Sequence, residues 1–196
     1  MSTVSEKSIN HTGATGTEAA AVRRLLDRFV NIDWLSSLGQ QGDEQVEQSL
    51  RQFADFFGIH HVEVKWLAER ELRSSIESIR LEEDGIWQTL RHVPDQLKRQ
   101  AEQTGRLGLL LAIADEVPAA IFQHSFDPIF AMLNSYGSHV VTTAVGYMMY
   151  IGGMACTWEI MTDLEGWKVN PFLFLVSVLE RGHWPLGVVN NQFVVI

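Results

Sequence analysis

Along most of this chain, apolar residues return every three or four positions, the spacing of an α-helix with one buried face. In "EAAAVRRLLDRFV", Val22, Leu25, Leu26, Phe29 and Val30 fall on one side, predicting a first helix with Thr17 as its N-cap. A second helix is predicted from Asp43, its N-cap, through the stripe Val46, Leu50, Phe53 and Phe57. Gly58 ends it, at a point where a left-handed residue is wanted. In "IHHVEVKW" the pattern switches to alternation, with Val62, Val64 and Trp66 against His61, Glu63 and Lys65. That is either a short strand or the lead-in to a charged helix. The spacing of Leu72, Ile76 and Ile79 favours helix for most of the run to about Glu83.

Three further helix starts place proline near the first helical position, where its missing N–H costs nothing. They predict helices from about Pro94 to Thr104, from Pro128 with Asp127 as cap, and from Pro171 to Arg181 with Asn170 as cap and Gly182 as stop. "LGLLLAIADEVPAAIF" adds one or two more, broken near Pro118. The ending "LGVVNNQFVV" sets two β-branched runs either side of Asn-Asn, the pattern of a type I′ hairpin. The fold expected is therefore mainly α: a single-domain helical bundle over residues 17–196 around a central apolar helix, closed by a hairpin over 185–196. Residues 1–16, rich in Ser, Thr and Gly, read as a flexible tail without the apolar core of a secretory signal.

Between Asp127 and Glu159 there is no Asp, Glu, Lys or Arg. Such a stretch is long enough to span a bilayer. Its threonines, tyrosines and glycines make it only modestly apolar, however, and its flanks carry acids rather than the Lys/Arg excess that orients a membrane helix. The expectation is a central helix buried on all sides in a soluble bundle, with Thr142, Gly146, Gly153 and Thr157 letting neighbours approach.

Charge narrows the function classes. The 196 residues carry 15 Lys and Arg against 24 Asp and Glu, a formal net charge of −9, which argues against nucleic acid as partner. The single cysteine, Cys156, excludes an internal disulfide and a Cys-based zinc site, and fits a reducing, cytoplasmic setting. Candidate chemistry is thin. His60 or His61 with Glu63 supplies at most two metal ligands on one element, and no metal or other cofactor is expected. Cys156 and His139 fall on different faces of one helix, nearly five turns apart, whereas a Cys156–His183 pair stays open. Adjacent Asp115 and Glu116 point about 100° apart on a helix and read as a helix start. His183, between Gly182 and Trp184-Pro185, is expected to bond the last carbonyls of its helix through its imidazole.

The segment "RFVNIDWLSSLG" and the tail "LERGHWPLGVVNNQFVVI" are similar to a set of small bacterial proteins. Those carry an (I/V)DW(L/F) segment after their first helix and finish in a GHxPxGW…G…(V/I)V tail. Only the two ends match, and the tail departs: Val188 stands where Trp is common, and Asn190-Asn191 replaces a glycine-bearing turn. The resemblance implies a bacterial cytosolic origin and carries over no catalytic residue.

The function expected is that of a non-catalytic acidic binding protein, concretely a cytosolic immunity or inhibitor protein that masks a basic partner. Its partner-binding face is expected among Asp43, Glu44, Glu47, Glu77, Glu82, Glu83 and Asp84. The alternatives are an enzyme using some of His60, His61, His139, Cys156 and His183, and a homo-oligomeric structural subunit that buries part of the 127–159 region between chains.

Overall fold

A computed structural model describes residues 16–78 and 86–196. It is mainly helical with a small C-terminal sheet, as the periodicity predicts. In chain order the elements are α1 (Gly16–Val30), α2 (Glu44–Phe56), β1 (Glu63–Trp66), α3 (Leu72–Ser78), α4 (Ile86–Leu90), α5 (Val93–Gln103), α6 (Leu107–Leu133), α7 (Ser138–Glu159), α8 (Phe172–Glu180), β2 (Pro185–Val189) and β3 (Gln192–Val195). Short 3₁₀ turns precede α3 and α7.

The early helices follow their patterns. α1 buries Val22, Leu25, Leu26 and Phe29, and Thr17 lies inside it rather than capping it. α2 begins where Asp43 Oδ1 accepts the Val46 N–H at 3.0 Å. It ends at Gly58, whose φ is +79°. The alternating stretch is a strand: β1 lies parallel to β3, with Glu63 opposite Gln192 and Trp66 opposite Val195. The helix expected there starts only at Leu72. β2 and β3 form the hairpin, with Asn190 and Asn191 at φ 49° and 61°, as a type I′ turn requires. The sheet order is thus β1-β3-β2, with the end of the chain as its central strand. The "IDWL" segment between α1 and α2 turns inward and buries Ile32, Trp34 and Leu35.

The middle of the chain departs from its punctuation. Pro118 does not break a helix and Pro128 does not start one; both lie inside α6, one continuous helix, with Asp127 at mid-helix. Each proline removes a hydrogen bond and crowds the preceding turn at about 3 kcal/mol. Burial of Val117, Ala120, Ile121 and Ile129 on either side offsets that cost. The chain reverses at Gly137, so residues 128–136 belong to α6 and its following turn, and α7 alone is the central helix.

α7 buries Val140, Val141, Ala144, Val145, Met148, Ile151, Ala155 and Cys156, among others, and packs on α1, α5, α6 and α8. The close approach is made at Gly152, where a Cβ would strike the Ile121 and Phe29 side chains. Gly146 faces open space, and Gly153 meets only Pro118 at the edge of contact. By length and composition both α6 and α7 could cross a membrane, but the most apolar window of α7 is two-thirds buried within the protein and that of α6 one-third. An aromatic cluster joins helices to sheet: Phe53 stacks edge-on with Phe172 at 5.6 Å and lies 6.3 Å from Phe193 of β3.

Candidate functional site

The junction of α8 and the hairpin builds a small polar cleft. Gly182, at φ +77°, ends α8 and presses against the Ser36-Ser37 backbone, its carbonyl accepting the Ser37 N–H at 3.0 Å. The next residue, His183, caps α8 with its main chain, N–H to the Val178 carbonyl at 3.3 Å. The imidazole does not perform the carbonyl bonding expected of it. It is buried, its Nδ1 has no hydrogen-bond partner among the described residues, and its ring lies edge-on to Trp66 at 5.1 Å. Burial pulls its pKa below the ordinary histidine value; Asp43 opposes that shift and Arg181 reinforces it. His183 is therefore a neutral imidazole at the floor of a cleft of about 280 Å³ whose walls include Ser37, Gln40, Asp43 and Arg181.

The other groups singled out in the sequence do not converge on it. Cys156 is fully buried, and burial followed by the Glu159 charge pushes its thiol far up, leaving it a protonated, inert side chain. Cys156 is not among the residues that line the cleft holding His183. His139 is exposed in the first turn of α7. His60 is exposed and bonds Asp55 at 3.0 Å. His61 holds a left-handed backbone, φ 60°, and its carbonyl accepts Asn191 Nδ2 at 2.7 Å, which ties β1 to the hairpin turn. With Arg51 and Glu63, these two histidines line a wide surface groove. Among the described residues no group of three or more His, Cys, Asp or Glu could hold a metal ion. Asp115 and Glu116 lie well inside α6 and do not start it.

The acidic face expected at the start of α2 is largely consumed by internal bonds. Asp43 caps α2 and takes Arg181 at 2.7 Å, and the same guanidinium reaches Gln45. Glu47 takes Arg51 at 2.6 Å and accepts a 3.4 Å bond from Trp66 Nε1. Glu44 remains exposed. Glu77 stands on α3, and Glu82, Glu83 and Asp84 lie outside the described residues. Asn170, expected as a cap, instead reaches across: its Nδ2 donates to the Ala155 carbonyl at 2.8 Å and to Glu159 at 3.0 Å, locking the α8 entry to α7.

The outer side of α6 carries a feature that the sequence pattern did not set apart. Phe122, Phe126 and Phe130 stand at i, i+4, i+8, with centroids 5.0 and 5.7 Å apart. Phe122 and Phe130 are 46% and 47% exposed, and Leu111 and Met132 on the same helix are 56% and 38% exposed. The signal was the four-residue spacing of phenylalanine, hidden because the rest of α6 is apolar too. No family model, no curated protein and no solved structure matches this chain.

Proposed function

We propose that this protein acts by binding another protein, as an acidic immunity- or inhibitor-type module that masks a basic partner in the cytosol. The observation that most supports this reading is the composition of the α6–α7 hairpin. From Leu107 to Trp167 the chain has no Lys or Arg; Asp163 is held by Arg106 from just before that stretch, which leaves Asp115, Asp127 and Glu165 as its exposed acids. A surface of one sign steers an oppositely charged partner and speeds encounter. Immobilised protein exposed to its native cytosol should retain one basic protein in stoichiometric amount, released as salt rises. Retention of nothing but further copies of the same chain contradicts the reading.

The buried Nδ1 of His183, without a partner among the described residues, favours one second reading, a small-molecule site with neutral His183 as its base and Asp43 and Ser37 beside it. Loss of a measured turnover in His183→Gln, with the fold intact, would put that reading first.

A further inference from the structure

The internal pairing of Asp43 and Glu47 makes the start of α2 a poor anchor for a partner. α6, by contrast, is apolar on two sides. Its inner side buries Leu110, Ile113, Val117, Ile121, Ile129 and Leu133, chiefly against α7. Its outer side exposes Leu111, Phe122, Phe130 and Met132, with Phe126 half-buried between the two phenylalanines. From Phe122 to Met132 this strip runs for about 15 Å along the helix, with Leu111 standing apart beyond exposed Asp115. A column of large apolar side chains left in water is the mark of an interaction site. The stacked phenylalanines make an i, i+4 ridge, the form that packs between the side-chain rows of another helix.

Charge selects among the occupants. Asp115 and Asp127 are exposed on the same helix, and the hairpin from Leu107 to Glu159 offers no cation to balance them. A second copy laid face to face would bring acid against acid, and an anionic lipid surface would be repelled for the same reason. A helix with apolar residues on one side and Lys or Arg at its margins satisfies both the ridge and the carboxylates. Resting on the binding role above, we infer that the outer face of α6, with Phe122, Phe126 and Phe130 as its ridge, is the docking surface for a basic amphipathic helix of the partner.

The probe is a synthetic helix with a leucine face and a lysine face, paired with a counterpart in which glutamate replaces lysine. Binding is followed by calorimetry on the full chain and on three double variants, each checked for native circular dichroism. The leucine–lysine helix should bind one per chain and the leucine–glutamate helix should not. Phe122→Ser/Phe130→Ser should weaken binding by about tenfold or more. Asp115→Asn/Asp127→Asn should weaken it less and flatten its salt dependence. Glu44→Gln/Glu47→Gln should change it less than about twofold. The reverse pattern, with loss in the α2 variant and none in the phenylalanine variant, overturns the α6 assignment but leaves an acidic binding role standing. Failure of the leucine–lysine helix to bind the folded chain overturns it too. So does a dimer in sedimentation that Phe130→Ser dissociates, which gives the face to a second copy. So does flotation with phosphatidylcholine vesicles that Phe130→Ser abolishes, which gives it to lipid.

Discussion

Gly58 and Gly182 end α2 and α8 with nearly the same backbone, φ +79° and +77°, in opposite surroundings. A Cβ on Gly58 would meet no atom within 4 Å. A Cβ on Gly182 would lie 2.7 Å from the Ser37 nitrogen and 3.0 Å from the Ser36 nitrogen, against main chain that cannot rotate away. Gly58→Ala should therefore cost only the left-handed conformation, about 1–2 kcal/mol. Gly182→Ala adds the displacement of the Ser36-Ser37 loop and with it the 3.0 Å bond from Ser37 N–H to the Gly182 carbonyl. A donor left unpaired costs about 1–3 kcal/mol, so the total is about 2–5 kcal/mol. That is a large part of the roughly 5–15 kcal/mol typical of a domain. The difference between the two variants, about 2 kcal/mol, corresponds to roughly 4–8 °C in Tm for a chain of this size. Urea titration followed by tryptophan fluorescence, with the slope m unchanged, measures it. Equal losses in the two variants would refute the close approach of α8 to the Ser36-Ser37 loop and the cleft wall built on it.

Other outcomes follow from the same contacts. Asp43→Ala removes the α2 cap and should cost about 1–2 kcal/mol in urea unfolding, whereas Asp43→Asn keeps a capping oxygen and loses only the exposed Arg181 pair, about 0–1 kcal/mol. Because burial holds the His183 pKa below its ordinary value, the unfolded chain binds the proton first as pH falls. Stability from this group is complete above about pH 6.5 and declines below it, by at most about 1.4 kcal/mol per pH unit. His183→Leu should remove that share of the slope between about pH 7 and 5.5; an unchanged slope contradicts a buried neutral imidazole.

The legible parts of the fold are those whose causes are local. Asp43 and Gly58 bound α2 by their own chemistry, and Asn190-Asn191 makes the hairpin turn because both residues accept positive φ. The partner of β1 was not legible, since its pairing with β3 joins Glu63 to Gln192 across most of the chain. Pro128 reads as a helix start and Pro118 as a helix break because of proline's local preferences; packing of Val117, Ile121 and Ile129 on α7 overrides both. The acidic residues of α2 were visible as charges, but not the arginines, Arg181 and Arg51, that neutralise two of them. Burial of the α7 stretch, by contrast, followed from its uncharged, all-round apolar character and is what the helices around it provide. The phenylalanine column on α6 was missed because a helix apolar on two sides has no single stripe to read.

Two apolar helices differ in what they meet: α7 is sealed in the core, and α6 is open on its outer face. Cys156, on α7, is the chain's only cysteine, so an aromatic disulfide reagent reads that contrast directly. Native wild type should not react until denaturant unfolds it, then release one equivalent; Phe130→Cys in a Cys156→Ala background should react at once in the native state. Rapid, stoichiometric reaction of Cys156 in the native wild type, or protection of the thiol introduced by Phe130→Cys, would contradict it.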